Sequence, residues 1–536
     1  GMDIMYLKQN KYTPSNIYQS LGIASAKVGV NRSINWLNEN ILTWNKTFKD
    51  IHSLNILGGF TIQRNNVESV TGASSNFVND VMKYNNLGAG SIYDKPESSA
   101  TQWSLMSYLA RINYSLYDRY LFSVNGRVDG SSRFGGNNKY GFFPSGSVAW
   151  RISEEGFMEP VKAVINNLKL RTSYGFTGNT EIGVYESLAT LGSNSWTIGN
   201  QLVSGFYPNR IPNPDLKWEK TGQFDIGFDL GLFNNRLRLT ADYYYKKTTD
   251  LLYNVAIPSA SGYDSMLKNI GSVQNKGYEL SIESDNLSGA FSWTTAFNIS
   301  FNRNKVLELG GETYKDVGTY DDHLKTSDIR RLIVGQPIGV FYGYRFDGIF
   351  QNEAECAQQT SSPSPIGVGL RRYKDLNGDG KIDATNDREI LGDANPKFFG
   401  GMTNTFAYKG FELNVFLQYS YGNKIFNYNA MELESPTGGQ NVYQDLVNRW
   451  TPTNPSNEYQ KATTNRNNIV SDRFIEDGSF LKLKTVSLSY SFPKLNWKHI
   501  GGLRLYVTGQ NLLTWTKYRG YDPEVSYRGA STLEAG

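Results

Sequence analysis

The chain has 536 residues, a formal net charge of +4 and one cysteine, Cys356. Near-balanced charge offers no field to draw nucleic acid, and a lone thiol excludes both an internal disulfide framework and a cysteine-rich zinc site. No run of about 18 apolar residues occurs, so membrane-spanning helices are excluded as well.

Gly1-Met2 reads as a tag remnant before an internal start, with no signal peptide, and residues 1–33 are expected to be an N-terminal loop or extension. Beyond them the dominant signal is alternation. Tyr108, Ala110, Ile112 and Tyr114 share one parity against Arg111 and Asn113, and Phe122, Val124 and Val128 oppose Asn125, Arg127 and Asp129. Phe224, Ile226, Phe228, Leu230 and Leu232 oppose Asp225 and Asp229. In RLRLTADYYYK, Arg236 to Lys246, one parity holds Leu237, Leu239, Ala241, Tyr243 and Tyr245; the other holds Arg236, Arg238, Thr240, Asp242 and Lys246. Phe411, Leu413, Val415, Leu417 and Tyr419 repeat the pattern against Glu412, Asn414 and Gln418. A strand sorts such residues onto two faces, whereas a helix would scatter them. We count roughly fifteen segments of this kind, many longer than the usual five or six residues. FLKLKTVSLSYSF, from Phe480, changes parity near Thr485, which predicts a bulge.

Connections come in two alternating kinds. Asp118-Arg119, Asn234-Asn235, Ser288-Gly289 and Lys409-Gly410 mark tight turns. Residues 65–100, 177–218, 347–396 and 422–477 form connections of roughly 35 to 55 residues, a length unusual inside compact soluble domains. Short turns at one rim and long loops at the other describe an all-β, antiparallel transmembrane barrel. Aromatic clusters near strand ends (Tyr114, Tyr117, Tyr120 and Phe122; Tyr243 to Tyr245; Tyr419 and Tyr421) fit girdles at headgroup depth. A soluble sandwich would have shorter strands and no segregation of loop lengths. The apolar parity is therefore expected to face lipid, and the polar one a wet or plugged lumen too wide for side chains to fill. Transport is the function such a lumen suggests.

Several stretches carry a resemblance. They include INWLNENILTWNKTF from Ile34, YDRYLFSVNGRVDGSSRFG from Tyr117, GFFPSGSVAWRISEEGFM from Gly141 and NPDLKWEKTGQFDIGFDLGLFNNRL from Asn213. IGSVQNKGYELSI from Ile270, IVGQPIGVFYGY from Ile333, LGDANPKFFGGMTNTFAYKGFEL from Leu391, GSFLKLKTVSLSYSF from Gly478 and LRLYVTGQNLLTWTKYRGYDPEV from Leu503 follow in order. Together they resemble the SusC/RagA family of TonB-dependent outer-membrane transporters. The resemblance implies a barrel of about 22 strands, an N-terminal plug, energy delivered through TonB, and a SusD-like surface lipoprotein closing the mouth as a lid. It implies import of oligosaccharides or peptides across the outer membrane of a Gram-negative bacterium. Against that pattern the plug, the first strands and the final strand are expected to lie outside these residues. Residues 34–525 are thus expected to be a partial barrel, and 526–536 a truncated tail.

DLNGDGKID, Asp375 to Asp383, has the spacing of a calcium loop. Asp375, Asn377 and Asp379 stand at positions 1, 3 and 5, Gly380 permits the sharp turn, and the Lys381 carbonyl and Asp383 carboxylate would follow. The closing position holds Asn386, with Asp387 one residue later. The resemblance implies an Asp at the close, so Asp387 would have to reach in across a one-residue insertion. The expected ligand is structural Ca²⁺, less favourably Mg²⁺; the alternative is an Asx-rich turn held by its own hydrogen bonds. Trp196, Tyr207, Tyr263 and Tyr443 are candidate substrate-stacking residues on the external loops, each equally able to pack those loops together. Enzymatic activity is not expected: His52, His323 and His499 lack zinc spacing, no nucleophile or phosphate motif occurs, and Asp321-Asp322 and Glu154-Glu155 read as solvated loop charges. A passive porin or a calcium-dependent surface adhesin are the competing functions.

Overall fold

A computed structural model of the chain describes residues 1–17, 20–263, 265–317, 329–434, 441–463, 468–493 and 501–524. Fifteen strands form one antiparallel meander. They are β1 (Met2–Thr13), β2 (Ser25–Phe48), β3 (His52–Phe77), β4 (Glu97–Leu116), β5 (Tyr120–Ser131) and β6 (Tyr140–Arg151). There follow β7 (Ile165–Asn179), β8 (Glu219–Leu232), β9 (Leu237–Thr249), β10 (Ser272–Leu287) and β11 (Phe291–Glu308). The wall ends with β12 (Phe398–Tyr408), β13 (Phe411–Tyr421), β14 (Phe480–Ser491) and β15 (Arg504–Thr516). Each strand pairs with its chain neighbours, and the sheet stays open, with β1 and β15 as its edges.

The alternation becomes two physically different faces. Across β8 and β9, Leu230 lies opposite Leu239, Phe228 opposite Ala241 and Ile226 opposite Tyr243; Tyr243 then packs on Tyr278 of β10 with ring centroids 5.0 Å apart. On the other face the Thr240 hydroxyl donates to Asp229, and Arg171 of β7 pairs with Asp242 at 2.7 Å. The apolar face is uncovered: Val124 is 62% and Tyr278 63% exposed. A continuous greasy face of this extent needs an apolar neighbour. Near the tight turns it carries stacked or tilted rings, Tyr120 with Trp150, Phe291 with Tyr408 and Phe411 with Tyr490.

Turn chemistry explains the short rim. Phe233, Asn234 and Asn235 adopt positive φ, as do Lys409 and Gly410, the twist that suits two-residue hairpins. The Asp118-Arg119 turn sits one residue earlier than expected, with Tyr117 and Asp118 at positive φ. The bulge near Thr485 is present as a register shift between Leu483 and Thr485.

The expected boundaries need correction in several places. Residues 1–33 are not a loop: β1 pairs along its whole length with the first half of β2. The 65–100 connection is largely strand, because β3 runs for 26 residues and β4 for 20, far beyond the roughly 10 needed to cross a bilayer. The 177–218 connection carries a hairpin, Thr190–Ile198 with Gln201–Arg210. The tail 526–536 lies outside the described residues.

The long connections after β11 and β13 fold together at the long-loop rim. Ile329 and Phe341 from the first bury Phe426, Ala430, Met431, Val470 and Phe474 from the second, and the Tyr344 N–H donates to the Val470 carbonyl. A smaller core joins Tyr344, Tyr373 and Ile382.

Candidate functional site

The polar face of the wall is ordered by its own hydrogen bonds. Asn55 donates to Asn45, Asn113 to Asn55 at 3.2 Å, Ser123 to Asn113 at 2.7 Å and Asn125 to Ser145 at 3.3 Å, a ladder crossing β2 to β6. Ion pairs join the amides along the same face, beginning with Arg127 and Asp129 of β5 at 2.6 Å. Lys169 and Arg171 both reach Asp229, at 3.6 and 3.4 Å, and Arg238 pairs with Glu283 at 2.9 Å. Sequence parity identified this face but not which of its amides and charges pair, because that depends on cross-strand partners. The ion pairs and mutually satisfied amides suit a wetted wall rather than a catalytic centre.

The cation-type loop is anchored by Ile382, buried against Tyr344 and Tyr373. Asp375 accepts from the Gly378 and Gly380 N–H groups at 2.7 Å each. Asn377 accepts from Asp379 N–H, and Asp379 from Lys381 N–H. Asp383 accepts from the Asn386 and Thr385 N–H groups, which hold its carboxyl below the ordinary Asp range. Asp387 does reach in: fully buried, it accepts from the Leu376 and Asp383 N–H groups at 2.8 Å each. All donors are oxygen, as a hard cation requires. The side chains are nevertheless turned onto backbone N–H groups, and among the described residues no three His, Cys, Asp or Glu side chains gather as ligands. As placed, the loop is closed on itself by these hydrogen bonds. Replacing Asp387 by Ala should therefore free two N–H groups and cost about 1–3 kcal/mol, read as faster proteolysis at 375–387 without added metal.

The four aromatic candidates do not converge. Trp196 and Tyr207 share one face of the 190–210 hairpin, half-exposed, and their rings lie over Gly205 and Gly192, where any side chain would collide. Tyr263 lies in a separate turn, its N–H donating to Ser261. Tyr443 packs against the Phe341–Phe426 core, and burial raises its hydroxyl pKa; loop packing accounts for it.

His52 contacts the Tyr114 hydroxyl at 2.7 Å through Nδ1, while His323, His499 and Asp321-Asp322 lie outside the described residues. Glu155 is no free loop charge: it accepts from Tyr120, Trp150 and Arg119, locking the short-rim turn after β6.

A strap after β15 was missed by sequence reasoning. Lys482 of β14, buried, binds Asp522 at 2.7 Å and Glu524 at 2.6 Å, and Gln418 of β13 also donates to Glu524. Burial pushes both carboxyls up, but the Lys482 ammonium overcomes it and leaves both lowered. Their contribution is present above the ordinary carboxylate range, near pH 4, and is lost as pH falls through the depressed native values. Hydrogen exchange at 518–524 should stay slow at pH 5 and rise only under stronger acid.

Comparisons with known proteins agree on one family. The family model "TonB dependent receptor-like, beta-barrel" matches residues 6–512. TonB-dependent receptor P3 of Formosa agariphila is 40% identical over 97% of this chain and 52% of its own length. TonB-dependent receptor SusC of Bacteroides thetaiotaomicron is 32% identical over 80% of this chain and 42% of its own. The solved RagAB peptide transporter superposes with a TM-score of 0.82 at 26% identity, covering 97% of this chain and 56% of that one. The chain spans about half the length of the curated relatives it matches. The family model spans most of the chain, and the chain belongs to the family of TonB-dependent receptor β-barrels.

Proposed function

We propose that the chain is barrel wall of an outer-membrane importer of oligosaccharides or peptides, driven through TonB and working with a SusD-like surface lipoprotein as lid. The single observation that carries this reading is the two-faced wall, greasy where lipid would lie and lined by amides and ion pairs where a solute would pass. In this reading a plug lies against the polar face, and its displacement by TonB would open a path along the wall. The RagAB structure is of a peptide transporter, which supports the peptide branch of the cargo class; the lid rests on the SusC/RagA resemblance. Calcium is proposed as a ligand of the 375–387 loop, re-aiming the carboxylates now turned onto the backbone; protease resistance there should rise with added Ca²⁺, and unchanged cleavage would leave the loop a plain Asx turn. The import reading is tested with cells making the intact protein and supplied with labelled oligosaccharide or peptide. Uptake should vanish when TonB is deleted; uptake persisting without TonB would mean a passive pore.

A further inference from the structure

At the long-loop rim β4 overtops β5. Their pairing stops at Leu105 and Ser131, leaving one edge of residues 97–104 free of β5. Two connections close on that edge. The Ser132 hydroxyl accepts the Ser104 N–H at 2.9 Å, and the Tyr185 hydroxyl accepts the Gln102 N–H at 3.0 Å. Beside them Phe134, Phe143, Ile182 and Trp218 form a buried apolar core, and Gly135 approaches the Pro214 backbone so closely that a Cβ could not fit. These elements bound a cavity of about 590 Å³ lined by Trp103, Ser132, Phe134, Lys139, Tyr185 and Pro214. That lies within the range of small-ligand pockets.

Gln102, Ser104 and Ser187 add neutral polar groups to the lining, and its one charged side chain is Lys139. Ser132 and Tyr185 have each taken a backbone N–H, so each keeps an O–H proton to give. Lys139 is a donor only, and among the described residues no ion pair engages it. Arg133 lies over the Trp103 ring, 4.8 Å from its centroid, while donating to the Thr180 and Ile182 carbonyls. The acids bordering the site have other partners: Glu186 pairs with Arg210 at 3.0 Å, Asp215 accepts from Asn137, and Glu181 faces Arg133. An apolar floor with donors above it and an unpaired cation lacks one complement, a negatively charged acceptor.

We infer that this pocket binds a carboxylate carried on the substrate, either on a uronic acid ring or at a peptide C-terminus, with Lys139 as the charge partner. The assignment rests on the import reading. The test is calorimetry on the intact protein in detergent, with two matched pairs: a uronate trisaccharide and its methyl ester, and a tripeptide and its C-terminal amide. In one pair the acid should bind at least about tenfold more tightly than its neutral partner. Lys139→Met should abolish that difference while leaving the melting temperature unchanged, and Lys139→Arg should keep most of it. The pair that shows the difference identifies the source of the carboxylate. No difference in either pair, or a difference that survives Lys139→Met, overturns the inference. Its failure with TonB-dependent uptake intact would remove the pocket alone; loss of TonB dependence would remove the import reading.

Discussion

Glu434→Ala should loosen the paired long loops by about 3–5 kcal/mol, the cost of stripping one partner from a buried ion pair. Glu434 ends the short helix Tyr428–Leu433 and is almost wholly buried. One carboxylate oxygen accepts from Arg473 at 2.7 Å and the other from Arg519 at 3.1 Å, and its carbonyl accepts from Arg371. Arg519 is shared with Glu476 at 2.8 Å. The carboxylate therefore joins the connection after β13 to the strap after β15, and its loss leaves the nearly buried Arg473 without its carboxylate partner. Limited proteolysis should cut 422–477 much faster in the variant, with Glu434→Gln between the two. Cleavage at the wild-type rate would show that the loops hold without the carboxylate.

Val124→Arg should be nearly as damaging, for a different reason. Val124 sits on the uncovered face of β5, opposite Ile112, and arginine near mid-bilayer on a lipid face costs about 2–4 kcal/mol. Asn125→Arg, one residue on, enters the wet face and should cost about 1 kcal/mol for the lost Ser145 hydrogen bond. Denaturant titration of the intact protein folded in lipid vesicles measures both. Equal losses would mean that the faces do not differ in their surroundings.

The wall was legible because alternation is local: Arg236–Lys246 states its two faces without any partner, and Asn234-Asn235 states its turn. What escaped depended on distant residues. β1 was read as loop because its sequence, with Lys8, Gln9, Asn10 and Lys11 in a row, alternates weakly; its partner is β2. The cores of the long loops draw on segments more than eighty residues apart, such as Phe341 and Phe426, so no local pattern announces them. In the cation loop the spacing was readable, but the aim of each carboxylate, with Asp387 turned onto the Leu376 and Asp383 N–H groups, is a matter of backbone geometry. Tyr443 and Trp196 looked alike as exposed-loop aromatics, yet one is half-buried in a core and the other lies on an open hairpin.

The central claim is that neighbouring residues of one strand meet different solvents. Single spin labels placed in turn from Arg236 to Lys246, in the intact protein in lipid bilayers, test it by collision with oxygen, which partitions into lipid, and with a water-soluble nickel chelate. Oxygen should dominate at Leu237, Leu239, Ala241, Tyr243 and Tyr245 and the chelate at the residues between them. A flat profile, with both parities sheltered or both wet, would contradict the account.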